Sequence, residues 1–287
     1  MTTAYPKGAG KTSTGSEATN AVSSTFDGRV DLFGHTGQAR MYIQFRPDYT
    51  AQVVDSVAQC VPESKRGLYV DVACGPGILT KKVAPYFRRT LGIDMSLEQL
   101  GEAPMLPGFD LKFVAGDAFA LPVESGSVDL VTVAQGLHWL VPYDKFFSEV
   151  SRILKPGGAF VAVAYAFPRL LNEQANAAVQ RFYKDLLGGH LKPGDEGCWW
   201  ETNRPTIDGF YTDIPFPRST RTDHFPETKR MLIADYANYL RTLSAYRTLL
   251  RAGQPDPMPD LEKEIREAVN GNEVQVEIPY FTVSFTL

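Results

Sequence analysis

Four short stretches of this chain bring together residue types that can hold a polar small molecule. The first is Asp71-Val72-Ala73-Cys74-Gly75-Pro76-Gly77. Gly75 and Gly77 allow a sharp backbone turn and a close approach to a ligand, with no Cβ in the way. A helix opening just beyond them would aim free N–H groups and a partial positive charge at the same spot, which suits a carboxylate or phosphate. The second is Asp94, whose carboxylate is placed to accept two hydroxyls of a ribose. Its alternative is a helix cap before Ser96-Leu97-Glu98, and the upstream Asp71 and glycines favour the ribose. The third is Gly116-Asp117-Ala118. The fourth is Gln135-Gly136-Leu137-His138-Trp139.

Each stretch sits at the carboxyl end of a short apolar run. Leu68–Val72, Leu91–Ile93, Leu111–Val114, Val128–Ala134 and Ala159–Ala166 read as strands. Helical spacing runs through Tyr49–Cys60 and Tyr143–Leu154, the latter stopped by Lys155-Pro156-Gly157-Gly158. Strands alternating with helices over short turns predict a doubly wound, mostly parallel α/β sheet of seven strands, with helices on both faces. In such sheets ligands bind beyond the carboxyl ends of the strands, so all four stretches converge on one edge.

After Phe167 the alternation breaks down. Leu171–Leu187 and Met231–Leu250 read as helices, and Leu261, Ile265, Ala268 and Val269 mark another. The region of about 167–260 is predicted to be a helical cap inserted after the fifth strand. Val274–Leu287 alternates in two phases that slip at Pro279-Tyr280, which predicts an antiparallel terminal strand with a bulge or bend. Residues 1–24, rich in Ser, Thr, Gly and Ala, are predicted to be a disordered tail, leaving one domain over 25–287. Gly10-Lys11-Thr12 resembles the end of a phosphate loop, but Tyr5 stands where its first glycine belongs.

The bulk numbers narrow the class. A net charge of −4 carries no electrostatic footprint for nucleic acid or an anionic membrane. The three cysteines, Cys60, Cys74 and Cys198, form neither a disulfide framework nor a CxxC pair, so no metal site is predicted. Without an apolar run of membrane-spanning length or a basic-then-apolar leader, the chain reads as soluble and cytoplasmic. Oligomeric state is not legible.

Taken together and in order, Asp71–Gly77, Leu91–Ser96, Gly116–Ala118, Leu121-Pro122, Ser127–Val131 and Leu154–Gly158 resemble the class I S-adenosylmethionine-dependent methyltransferases. Ala73 stands where that family often has glycine. The resemblance implies that Asp71, Ala73 and Gly75 line the methionine part of S-adenosylmethionine, with Gly77 also among the cofactor-binding residues. It implies that Asp94 and Met95 hold the ribose and flank the adenine, and that Asp117 accepts from the adenine amino group beside the Ala118 backbone. Gln135 would lie near the sulfonium. Tyr42–Tyr49, His138-Trp139 and Tyr239–Tyr246 further resemble the type 11, trans-aconitate methyltransferase-like branch, which implies a small-molecule acceptor, including carboxylic acids.

Methyl transfer is an in-line displacement, so the protein mainly positions the acceptor and holds charge. A carboxylate acceptor needs no base; for a hydroxyl or carbon acid His138 is the best-placed base, the alternative being a packing residue bonded to a carbonyl. Arg46 pairs with the methionine carboxylate or an acidic acceptor, or is a surface arginine before a proline. Tyr42, Trp139, Trp199, Trp200 and Tyr246 are candidates to wall an acceptor pocket, with cap core as the alternative for at least one tryptophan. Arg241 and Ser244 line the pocket or face solvent. Two rivals remain. A nicotinamide-dependent oxidoreductase is disfavoured by Thr80 at the third glycine position, and a non-catalytic interaction protein is disfavoured by the retained Gly75, Gly77 and Asp94.

Overall fold

The computed structural model describes residues 25–26, 29–30, 38–188, 211, 214–224 and 226–287; the predicted tail, Trp199 and Trp200 lie outside them. Two short strands, β1 (Thr25–Phe26) and β2 (Arg29–Val30), pair antiparallel. Helices α1 (Gln38–Phe45) and α2 (Ala51–Gln59) follow. Thr50 caps α2 by accepting the Val53 amide at 3.3 Å.

The main alternation runs β3 (Leu68–Val72), α3 (Ile78–Val83), β4 (Arg89–Asp94), α4 (Leu97–Gly101), β5 (Leu111–Ala115), β6 (Val128–Ala134), α5 (Tyr143–Ile153) and β7 (Leu154–Tyr165). Beyond it come β8 (Arg169–Leu170), α6 (Glu173–Gly188), β9 (Thr220–Asp223), β10 (Glu227–Leu232), α7 (Ile233–Arg241), α8 (Ser244–Arg251), α9 (Met258–Val269), β11 (Glu273–Ile278) and β12 (Tyr280–Thr286).

The seven-stranded sheet has the order β5-β4-β3-β6-β7-β12-β9. β3 pairs parallel with β4 and β6, β4 with β5, and β6 with β7; β12 runs antiparallel to both β7 and β9. Val128 to Val133 are buried without a break, as a central strand covered on both faces requires. One face packs Val70, Val131 and Phe160 against Phe146 and Val150 of α5. The other packs Tyr69, Leu130 and Val161 into a core shared with α2, α3 and the elements after β7.

Two expectations are corrected here. The predicted helix Met231–Leu250 is a strand and two helices. Met231 and Leu232 end β10, paired with Val274 and Glu273, and the helical part breaks at Thr242-Leu243. The predicted single terminal strand is two strands in two sheets. β11 joins β10 and β8 in a three-stranded sheet, and β12 crosses into the main one. Pro279 makes the break: it has no N–H to continue a ladder, and its carbonyl accepts the Ala166 amide at 2.9 Å.

Candidate active site

The turn after β3 is built on left-handed backbone. Ala73, Gly75 and Gly77 have φ of 52°, 54° and 71°. That conformation is natural for glycine and costs alanine about 1 kcal/mol, so neighbouring contacts must hold Ala73 there. The Cys74 amide donates to the Ile93 carbonyl at 3.1 Å, and the Gly75 amide donates to Asp94 Oδ2 at 2.7 Å. Asp94 Oδ1 accepts the Ser96 amide at 2.9 Å, while Ser96 itself caps α4 by accepting the Gln99 amide. Asp94 therefore ties the glycine turn to the end of β4, and the helix cap belongs to Ser96.

Asp71 lies beneath the turn, fully buried. Thr80 Oγ1 donates to its Oδ2 and Thr132 Oγ1 to its Oδ1, both at 2.6 Å. With the Thr132 proton spent on Asp71, the Tyr69 hydroxyl donates to Thr132 across 2.8 Å. Burial pushes the Asp71 carboxyl up to about 6, against the pull of the two threonine bonds. Asp71 thus braces β3, α3 and β6 from below.

A Cβ at Gly77 would strike the Phe113 ring at 2.7 Å, so this position needs glycine for space as well as for φ. At Gly75 a Cβ would meet only Gln99 Oε1, at 3.7 Å. The Gln99 side chain is buried, and neither atom of its amide has a hydrogen-bond partner. A buried unpaired amide beside an open glycine fits a polar ligand at the turn. Sequence reasoning missed Gln99 and Phe113, whose roles depend on how α4 and β5 pack.

Because β5, β4 and β3 are neighbours, Asp117, Asp94 and Gly75 follow one another along the carboxyl edge. Asp117 Oδ1 accepts the Phe119 amide at 2.9 Å. Met95 and Ala118 are partly buried beside these carboxylates in the chain.

On the other side of the turn, Gln135 also has a left-handed φ of 54°. Its amide donates to the Val163 carbonyl at 2.9 Å and its Nε2 to the Tyr165 carbonyl at 3.1 Å. A Cβ on Gly136 would lie 3.2 Å from that of Ala73, so the ends of β3 and β6 meet closely. His138 follows on a single 3₁₀ turn, Leu137–Trp139. Its ring centroid is 5.2 Å from that of Trp139, and its Nδ1 is 3.4 Å from the Tyr211 hydroxyl. Burial, then the charge of Arg46, lowers the imidazole to about 4, so it is neutral at physiological pH.

Arg46 is drawn inward among aromatic rings. Its guanidinium carbon lies 4.8 Å from the Tyr42 ring centroid and 5.7 Å from that of Tyr239. Nη1 donates to the Tyr165 hydroxyl at 3.3 Å and Nη2 to the Thr242 carbonyl at 3.1 Å. Nε is buried with no partner, and no carboxylate among the described residues pairs with the group. Tyr165 and Thr242 lie 119 and 196 positions away in sequence, which is why this cage was not legible there.

Tyr246 is placed differently. Its hydroxyl donates to Asp256, which also accepts the Met258 amide at the start of α9, and Arg241 pairs with Glu262. Both side chains tie α7 and α8 to α9. Among the described residues, no group of three or more His, Cys, Asp or Glu is placed to hold a metal. No helix among them is long and apolar enough to cross a membrane.

The comparisons with known proteins agree with this geometry. A family model described as a methyltransferase domain matches residues 70–162, from β3 into β7. A Dictyostelium discoideum protein assigned as a methyltransferase is 28% identical over 88% of this chain and 94% of its own length. A solved structure from Anaeromyxobacter dehalogenans, assigned as a type II methyltransferase, superposes with a TM-score of 0.68 at 26% identity, covering 84% of this chain and 98% of that one. Residues 70–162 are a methyltransferase domain, and the fold and the comparisons together support an S-adenosylmethionine-dependent methyltransferase. The methyltransferase is also similar to demethylmenaquinone methyltransferase of Staphylococcus aureus, 33% identical, but over 46% of this chain and 57% of that protein. That likeness covers about half of each.

Proposed function

We propose that this methyltransferase methylates a small molecule bearing a carboxylate, using S-adenosylmethionine held at the carboxyl ends of β3, β4 and β5. The observation that carries the acceptor class is Arg46: a guanidinium inside an aromatic cage, its Nε buried without a partner and no carboxylate among the described residues paired with it. Arginine stays charged at any working pH, and a half-buried charge with its Nε withdrawn from water calls for a counter-charge. The ligand supplies it.

In this reading Ala73, Gly75 and Gly77 line the methionine part, with Asp71 as a brace below. Asp94 and Met95 hold the ribose, and Asp117 with the Ala118 backbone takes the adenine edge. S-adenosylmethionine supplies an electrophilic methyl group on a sulfonium. Arg46 fixes the acid, while Tyr42 and Trp139 wall it on their apolar faces. Gln135, pinned by its Tyr165 bond, orders the backbone between the two halves. A carboxylate brings no proton to remove, so no base is required. His138 is then a neutral wall that does not compete with Arg46 for the anion.

The test pairs two measurements on Arg46→Met. Small carboxylic acids are first screened as acceptors with methyl-labelled cofactor. With the best of them, KM is expected to rise roughly 10- to 100-fold, as for loss of a charged hydrogen bond, with cofactor Kd unchanged. A collapse of cofactor affinity instead would assign Arg46 to the methionine carboxylate and remove the support for an acidic acceptor.

A further inference from the structure

The opposite edge of the sheet carries a second concavity of about 380 Å³, bordered by Lys65, Arg66, Arg88, Asp129 and Lys155. It opens where β3, β6 and β7 begin. The five residues of β3, roughly 17 Å of extended chain, separate it from the glycine turn.

Four cations there meet one carboxylate, and that carboxylate is fully engaged. Asp129 Oδ2 accepts the amides of Gly67 and Leu68 at 3.1 and 2.8 Å, and Lys155 Nζ reaches both oxygens at 2.8 and 2.9 Å. Asp129 locks the start of β3 to β6 and β7 and neutralises Lys155. Lys65, Arg66 and Arg88 have no acidic partner among the described residues. Arg66 is held in place: its Nε donates to the Val61 carbonyl at 3.0 Å, and its guanidinium carbon lies 5.7 Å from the Tyr86 ring centroid. The Arg88 amide donates to the Arg66 carbonyl at 3.2 Å, which sets the two arginines on adjoining backbone.

Several cations elsewhere are paired. Arg40, Lys82, Arg169 and Arg181 each sit on a carboxylate, as expected in a chain of net charge −4. Three unpaired cations around one hollow repel one another, and a multivalent anion relieves that repulsion. Arginine forks match phosphate oxygens, and the volume is that of a small-molecule site rather than a polymer groove.

We infer that this cleft binds a small phosphate-bearing anion of at least two negative charges, at a site separate from the methyl-transfer centre. The test is calorimetric titration of inorganic pyrophosphate into the full chain at constant ionic strength, with and without saturating S-adenosylhomocysteine. Wild type is expected to bind one equivalent, and S-adenosylhomocysteine not to compete. Lys65→Ala/Arg88→Ala changes two exposed side chains and is expected to weaken binding at least about tenfold, with the thermal midpoint and cofactor affinity unchanged. Arg66→Ala is a second, independent variant with the same expected loss.

Two sources of phosphate are separated by further arms. Binding of glycerol phosphate supports a soluble ligand. Co-sedimentation with phosphatidic acid vesicles, lost in the double variant, supports the same site reading a lipid headgroup. No binding by wild type, equal binding by the double variant, or displacement by S-adenosylhomocysteine would overturn the inference. Preference for a short oligonucleotide over pyrophosphate would do the same.

Discussion

Asp94 Oδ2 accepts the Gly75 amide at 2.7 Å, so the acid at the end of β4 sets the shape of the turn at the end of β3. Removing it therefore costs more than a ribose contact. Asp94→Ala is expected to weaken S-adenosylhomocysteine binding by at least about 100-fold, the loss of charge-assisted bonds plus a slackened turn. Asp94→Asn keeps one acceptor oxygen and is expected to fall between. Calorimetry on the three proteins checks the ranking; an alanine variant that binds like wild type would remove Asp94 from the site.

Asp71 makes stability depend on pH with a definite sign. Its folded carboxyl titrates near 6, above the ordinary value of 3.8. Between those values the folded state holds a proton that the unfolded state has released. Its contribution to stability is thus present at low pH and declines as pH rises through this window, by up to about 3 kcal/mol. Asp71→Asn cannot titrate. Relative to wild type it is expected to gain stability by about that amount between about pH 4 and pH 7, measured as urea midpoints. Parallel pH profiles for the two proteins would show that the carboxyl is not perturbed.

His138 runs the other way over the same range. The folded imidazole stays neutral down to about 4, whereas its ordinary value is 6.5. The stability it contributes is present above the ordinary value and is lost as pH falls toward 4. His138→Phe keeps a flat ring against Trp139, and with a carboxylate acceptor it is expected to lower kcat less than about tenfold and leave the pH–rate profile unchanged. A fall of 100-fold or more, together with loss of the acidic limb of the profile, would make His138 a base acting on a protonated acceptor.

Ala73 holds a backbone conformation made for glycine. Ala73→Gly removes about 1 kcal/mol of strain while increasing unfolded-state entropy, so its net effect on stability is expected to be within about 1 kcal/mol. Ala73→Val adds branching at a left-handed position already 3.2 Å from the space beside Gly136, and is expected to cost at least about 2 kcal/mol and abolish cofactor binding. Thermal midpoints and cofactor titration separate the two effects.

The sequence was legible where local pattern and long-range burial agree. Leu68–Val72 and Val128–Ala134 were expected as strands and are observed over the same residues, because strands buried on both faces are short continuous apolar runs. It was less legible where half a pattern carries the structure. In β10 half-buried and exposed residues alternate along Glu227–Leu232, but its last two residues also fit a helical stripe. The acidic strand ends stood out because each closes an apolar run. Gln99 did not, because nothing near it in the chain signals that its amide is buried without a partner. Nor did Tyr165, an ordinary strand residue until α1 brings Arg46 to its hydroxyl.

β12 lies inside the main sheet, between β7 and β9. Its partner β7 is made long before it, and Tyr280 must find Tyr165 across the whole of the region between them. Until then β7, buried on both faces in the finished fold, is an open apolar edge, a template for pairing with another chain. Pairing across so long a separation favours slow folding, so this enzyme is expected to pass through a period of exposure to aggregation that its end state does not reveal. Conditions that favour early docking of Phe281, Val283 and Phe285 onto the α5 side of the sheet are then the ones expected to raise its soluble yield.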